Sequence, residues 1–534
     1  MAEVAVIGAG AAGLPTLKNL LEEGFKATAF DRDTEIGGIW NLRDDGRPSV
    51  LESTVANNSS DFGCYTDFPY PNGSATYPSA REVSQYLQAY ADHFELLPHI
   101  RLGTTIRRAR LVMIGRIEKW ELAIETGRSP EELLYFDKLV VASGSFSTPS
   151  RPDIPGLGQF EGLAMHSSAY KRPAQFNGLR VLVVGTGNTA ADVVSTLKGH
   201  AKQVYWSHRH GALILPRSIN GMPLDHTLTY RSTRISDIVT SYFPRYASRM
   251  MIRMLEKIQN TSFQIRPEWG LTPVPALQHA LPIITDDLVA ELEAGRAVSV
   301  PRIKRVTGKR AVELEDDSRL NDIDAIVLCT GYRKTDWALV GDELDPTRHT
   351  TARWSSAKGS GDRPLPRLYQ NVFSLERPQS LAYVGIASGL ISGFTISDLT
   401  SMAIAQVWKG NSALPTLREM NEQVDAHHDW LCKIAEHGSC SPHALNFTKW
   451  TAWVHETAGT GVHTKLGYGI QGWWFWLKDR AFCNVLMTGV MSPFIFRVFP
   501  GAKRKAWDGA REAIEVLNAE RKGRIFRWHG RQDD

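Results

Sequence analysis

The sequence predicts an α/β protein with two dinucleotide-binding (Rossmann-like) domains, the second inserted into the first, and a helical C-terminal extension. Three observations predict it. Two short apolar runs, Val4 to Ile7 and Val181 to Val184, each break into a glycine-rich turn and then into helix-favouring residues, which is how a dinucleotide-binding turn is written. A third apolar run, Asp324 to Tyr332, closes on a glycine and echoes Leu139 to Gly144, as though the chain crossed back into the first domain after building the second. The expected units are 1–155, 156–322 and 323–534, since 534 residues exceed one ordinary core.

Composition narrows the function classes. Sixty-one basic residues stand against fifty-seven acidic ones with no basic block, so no nucleic-acid partner is expected. The five cysteines are scattered and never spaced for a zinc site, a disulfide scaffold or a dithiol centre, which fits a reducing, cytoplasmic location. The first apolar run has no basic region or cleavage site before it and reads as a strand, not a signal peptide. No apolar stretch reaches the roughly 18 residues a spanning helix needs.

Taken in order, Gly8-Ala9-Gly10-Ala11-Ala12-Gly13 forms the first turn, and Leu14 to Glu23 a helix stopped at Gly24. Gly8 permits the bend, Gly10 lets backbone approach a pyrophosphate, and Gly13 lets helix and strand pack closely. A second strand, Lys26 to Phe30, delivers Asp31, placed to accept from a ribose. Glu35-Ile36-Gly37-Gly38-Ile39-Trp40 follows. A GxGxxG turn, an acidic residue and a GG-aromatic element, in that order, resemble flavoproteins of the two-dinucleotide type, so FAD is expected here, with Gly38 against its diphosphate or ribityl region and Trp40 covering it.

Asn57, Asn58, Ser59 and Ser60 read from their own chemistry as a turn, because such side chains bond nearby backbone. Ser79 with Glu82 makes a capping box, and Val83, Tyr86, Leu87, Tyr90 and Phe94 follow at helical spacing as core. Phe136 to Ala142 is a strand ending in Ser143-Gly144-Ser145, and Pro149, Pro152 and Pro155 mark the exit from the first domain.

In the second turn, Gly185, Gly187 and Ala190 occupy the three fingerprint positions, with Asn188 and Thr189 at the start of the helix. The next strand, Gln203 to Ser207, delivers His208, Arg209 and His210 where an acidic residue would otherwise stand. A guanidinium there pairs with a 2′-phosphate, whereas a carboxylate would repel it, so NADPH is expected over NADH. His166 has no second ligand at metal spacing and is expected to be structural, with no metal site.

Residues 225–282 carry no motif and receive no role. Short apolar runs between Val298 and Asp324 suggest a small antiparallel excursion. Cys329 reads as a small buried apolar residue. The strand Leu381 to Gly385 leads through Ile386-Ala387-Ser388-Gly389 to a helix expected from Asp398 to Gln406. Trp473-Trp474-Phe475-Trp476 is expected to be an aromatic core cluster, the alternatives being a substrate gate or a peripheral membrane contact.

Together these motifs resemble the flavin-containing monooxygenases over nearly the whole chain: GAGAAG at 8–13, EIGGIW at 35–40, N-x-S-S and Y-T-D-F-P within 57–69, F-x-G-x-x-x-H-x-x-x-Y at 160–170, GTGNTAAD at 185–192, LCTGY at 328–332 and a tail from Ser492. The resemblance implies an enzyme that passes hydride from NADPH to FAD, captures O2 as a C4a-hydroperoxyflavin, and oxygenates a soft nitrogen or sulfur of a small molecule, as in N,N-dimethylaniline monooxygenase activity. It implies that Asn57 is the active-site asparagine, reversing the bland reading of that turn, and that Thr330 and Gly331 of LCTGY border the cofactors. Departures are Ser60 where the family has a lysine, Asp31 in place of glutamate, and a polar stretch at 516–534 unlike the membrane-anchoring tail of mammalian members. A Baeyer–Villiger enzyme acting on a ketone would carry tryptophan where Tyr170 stands, and a non-catalytic NADPH sensor would not need the complete motif set. The oligomeric state is not encoded in any motif.

Overall fold

The computed structural model describes residues 1–334, 336–387, 389, 391–501 and 503–529. At the N-terminus β1 (Glu3–Ile7), α1 (Gly13–Glu22) and β2 (Lys26–Phe30) form a βαβ unit, with β1 and β2 in parallel register from Glu3 opposite Lys26 to Ile7 opposite Phe30. The helix α2 (Ala80–His93) opens on the expected capping box, and its Val83, Tyr86, Leu87 and Tyr90 are buried. Next come β3 (Ile100–Arg101), an antiparallel three-stranded sheet over 104–136, and β4 (Lys138–Val141), which returns beside β1.

The second unit contains β5 (Leu163–His166), β6 (Arg180–Val184), α3 (Asn188–Thr196) and β7 (Gln203–His208). Two helices follow, α4 (Tyr230–Tyr242) and α5 (Pro244–Ser262), and then β8 (Ala297–Pro301) and β9 (Ala325–Leu328). The five strands lie in the order β8-β7-β6-β9-β5, all parallel. Val181, Leu182 and Val183 of β6 and all of β9 are buried, as strands covered on both faces must be.

This corrects one expectation. The run from Asp324 does not re-enter the first sheet: β9 pairs with β6 from Val181 opposite Ala325 to Val184 opposite Leu328. Its burial pattern is the same as that of a strand in either sheet, so only the partner settles membership. The strand that rejoins the first sheet is β12 (Leu381–Tyr383), after β10 (Leu368–Tyr369) and β11 (Phe373–Ser374), giving the order β10-β11-β12-β4-β1-β2-β3. The antiparallel excursion begins at Ile303, not Val298, because Val298 belongs to β8.

Helices dominate the C-terminal part: α6 (Gly393–Lys409), α7 (Leu417–Ala435), α8 (Phe447–Ala458), α9 (Ile470–Lys478), α10 (Arg480–Thr488) and α11 (Ala510–His529). The helix expected from Asp398 starts at Gly393, capped by the Ser392 side chain, and Thr395 to Trp408 are all buried. Small residues such as Ser397, Ser401 and Ala405 let it lie close against α1 and α8. The aromatic run of α9 is not core: Trp473 and Trp474 are 56% and 68% exposed. A short helix packed through Gly472 and the half-buried Phe475 and Trp476 leaves the other two rings outside. The five cysteines are free and buried.

Candidate active site

The first glycine turn is held by its neighbours. Gly8 donates its N–H to Phe30 O at 2.8 Å. A Cβ on Gly13 would lie 1.9 Å from Gly8 O, so no other residue lets α1 approach β1 this closely. Asp31 sits just past β2 and accepts from the Ala9 N–H at 2.7 Å and the Asp33 N–H at 2.9 Å. Burial pushes its carboxyl above the usual range, and those two amides pull it back. The EIGGIW element lies directly on the turn: Gly37 donates to Ala9 O at 3.0 Å, Gly10 bridges Gly37, and Gly38 opens the 3-10 turn that carries the half-buried Trp40 toward Phe394. From the other side Gly385 comes against Ala12. Ser388, of the glycine-rich stretch expected near the flavin, lies outside the described residues.

The second turn is built the same way. Gly185 accepts from the Trp206 indole N–H at 2.7 Å and donates to Ser207 O at 3.0 Å. At φ +135° its Cβ would meet Cys329 O at 2.3 Å, so glycine is required where β6 and β9 end together. Gly187 faces open space and precedes α3, whose first residues are Asn188 and Thr189; the Asn188 side-chain oxygen accepts from the Ile284 N–H at 2.8 Å. Arg209 leaves the end of β7 exposed to solvent. Partial desolvation and the neighbouring Arg302 lower its pKa, and Arg363 feels its charge, so three guanidiniums converge at this corner.

Thr330 and Gly331 follow β9 and face the crossing between the two units. Thr330 Oγ1 donates to Ser150 O at 2.5 Å, and Gly331 O accepts from the Ser150 N–H at 2.9 Å and lies 2.9 Å from His166 Nε2. His166 is fully buried, its Nδ1 accepting from the Ser168 N–H at 3.1 Å. Burial lowers its pKa against the pull of the Gly331 carbonyl, so the ring is neutral with its proton on Nε2. It is a cross-link, as the sequence suggested. Tyr170 is buried on Phe176 with its hydroxyl 2.8 Å from Thr196 on α3.

Asn57 is exposed, on a loop held at both flanks. Arg217 reaches the carbonyls of Val55 and Ala56 at 3.4 and 3.5 Å. On the other flank Asp225 accepts from Ser59 twice, from N–H at 2.7 Å and from Oγ at 2.8 Å, and His226 Nε2 meets Asp61 at 3.0 Å. Ser59 is 0% and Asp225 9% exposed. Burial raises the Asp225 carboxyl, with the two Ser59 bonds opposing. Beyond the loop, Tyr65 donates to Ala11 O at 2.8 Å, tying the Asn57 loop to the first glycine turn.

The Y-T-D run has a buried purpose. Thr66 N–H and Oγ1 donate to Asp398 on α6 at 2.9 and 2.7 Å, and Asp67 pairs with Lys18 of α1 and, at 3.2 Å, with Arg497. Arg497 also donates to Glu22 at 3.0 Å and Asn19 at 2.6 Å. Burial pushes the Asp67 carboxyl up, but Arg497 and Lys18 outweigh it and hold the pKa low. The tail is thereby fastened to the first helix behind the glycine turn.

A flavin-binding monooxygenase-like family model matches residues 1–526. The chain belongs to this family. Monooxygenase aurF of Gibberella zeae is 43% identical over 523 residues, 98% of each chain, and flavin-containing monooxygenase 3 of Macaca mulatta is 30% identical over 528 residues, 96% of this chain and 91% of that one. Among solved structures, the S-allyl-L-cysteine S-oxygenase of Allium sativum superposes with a TM-score of 0.63 at 22% identity, covering 96% of this chain and 99% of its own.

This flavin-binding monooxygenase is thus an FAD- and NADPH-dependent enzyme with a two-domain Rossmann-like fold. Its residues fit both cofactors: each turn is a cradle that a Cβ would obstruct, opening onto a helix N-terminus suited to a diphosphate. Among the described residues no His, Cys, Asp and Glu group could hold a metal ion, and no helix is long and apolar enough to cross a membrane. The monooxygenase also contains functional groups that sequence reasoning missed. Arg217, Asp225 and His226 lie in or beside the stretch left without a role, over 150 residues from their partners. A buried acidic-basic dipeptide carries no local signal. Asp67 and Arg497 were visible only as members of motifs.

Proposed function

We propose that this monooxygenase oxygenates a soft nitrogen or sulfur nucleophile of a small organic molecule, with Asn57 at the reaction centre. The observation that carries this reading is the Asn57 loop. It is fastened to the first glycine turn through Tyr65 and to the second unit's segment through Asp225 and Arg217, so it spans the approach between the two dinucleotide sites. When bound, the flavin accepts hydride from NADPH and activates O2. The chain's own work is to hold, orient and shield. Gly8, Gly10, Gly13 and Gly38 accept the FAD diphosphate, Asp31 the ribose, and Trp40 covers them. Gly185, Gly187, Asn188 and Thr189 take the NADPH diphosphate, and Arg209 the 2′-phosphate. Thr330 and Gly331 close the crossing beside the second turn. The Asn57 amide donates a hydrogen bond at the reacting oxygen without titrating. In this reading the NADPH unit is an insertion, since the strands of the second sheet fall between β4 and β12 of the first, with the return after Leu328.

The test is isotopic. Turnover under 18O2 with NADPH and a panel of tertiary amines, sulfides and ketones is expected to place one labelled oxygen in an N-oxide or S-oxide. Labelled esters from the ketones with unlabelled, unreacted amines and sulfides would overturn the proposed substrate class.

A further inference from the structure

Helix α5 presents an apolar surface that nothing in the molecule covers. Tyr242, at the end of α4, continues into Tyr246, Met250 and Met254 at one-turn spacing, and these are 77%, 64%, 59% and 49% exposed. A helix has 3.6 residues per turn, so residues four apart form one stripe. The stripe is not the packing face: Ala247, Met251 and Leu255, one position on, are the half-buried side chains, and the buried Gln259 pins the end of the helix by accepting from the Ile214 N–H at 2.6 Å. On the other flank, one position earlier, run Arg245, Arg249, Arg253 and Lys257, all exposed. None of the four takes part in an ion pair among the described residues. The helix has one acidic residue, the half-buried Glu256.

An exposed stripe of tyrosine and methionine bordered by an unpaired cationic stripe is the composition of a helix lying in a bilayer interface. There the apolar side chains enter the acyl boundary and the arginines extend along it to anionic headgroups. A second copy of the chain fits the same surface poorly, because a twofold interface would set the cationic stripe against itself. We infer that the outer face of α5 docks the enzyme on an anionic lipid surface, without spanning it. Exposed Trp473 and Trp474 on α9, which packs on α10 and so next to α4, add aromatic side chains of the kind that favour such an interface.

The test is flotation of the FAD-loaded, full-length enzyme with phosphatidylcholine vesicles with and without phosphatidylserine, at low and high salt. Binding is expected to require phosphatidylserine and to weaken with salt. Arg245→Glu with Arg249→Glu and Arg253→Glu should reduce binding about a hundredfold, given about fivefold per cation near an anionic surface. Tyr246→Ser with Met250→Ser should also weaken it, while both variants keep bound flavin and a native circular dichroism spectrum. Absence of phosphatidylserine-dependent binding, or variants that float like the parent, would overturn the inference. So would a dimer in sedimentation that the same substitutions dissociate, which would assign the stripe to a second copy.

Discussion

Replacing Asp225 with alanine isolates the clamp on the Asn57 loop. The carboxylate accepts the Ser59 N–H and Oγ–H, both buried, at 2.7 and 2.8 Å. Alanine strands both donors, and a buried donor left unpaired costs about 1–3 kcal/mol. The loss is offset in part because burial of Asp225 itself is unfavourable, as its raised pKa records. The net cost of the native loop geometry is therefore about 2–4 kcal/mol. Asparagine keeps an oxygen for the Ser59 N–H and turns its amide toward Oγ, so it costs under about 1.5 kcal/mol. The measurement is hydrogen exchange of the 55–63 backbone, where 2–4 kcal/mol corresponds to roughly 30- to 1000-fold faster exchange. In parallel, hydrogen peroxide released per NADPH consumed should rise in Asp225→Ala, as in Asn57→Ala, and return most of the way in Asp225→Asn. Exchange within threefold of the parent together with unchanged peroxide release in Asp225→Ala would refute the clamp.

Two further outcomes follow from the same structure. Arg209→Ala should lower kcat/KM for NADPH about 10- to 150-fold, the worth of a charge-assisted bond of roughly 1.5–3 kcal/mol, while leaving NADH nearly unaffected; equal losses for both would remove the phosphate role. Acid should destabilise the fold through its buried histidines. Desolvation pushes His427, His428 and His463 down to about 4 and His443 to about 3 from 6.5. Because the folded pKa values lie below the unfolded one, the unfolded chain takes up these protons first. The stability is complete above about pH 6.5 and is lost as pH falls toward 4, at up to ~1.4 kcal/mol per pH unit for each ring. A Tm that stays flat between about pH 7.5 and 5, or a slope unchanged by His427→Gln with His428→Gln, would contradict this.

The sequence by itself determined both glycine turns, the β1–α1–β2 unit to within a residue, the α2 cap and the family, because each is written in residues close together in the chain. A positive-φ glycine, a capping serine or a run of buried valines has its physical reason within a few positions. Asp225, His226 and Arg217 were not legible, since their meaning lies in a carboxylate or guanidinium meeting a loop more than 150 residues away. The same limit misplaced the Asp324 strand, whose apolar pattern suits either sheet and whose pairing with β6 is decided by tertiary position. It also misplaced Trp473 and Trp474, because an aromatic run reads alike whether its helix packs on one face or several. What tertiary structure alone decided is which buried groups meet and which apolar ones stay uncovered. Both depend on desolvation by distant segments, a quantity no local stretch of sequence contains.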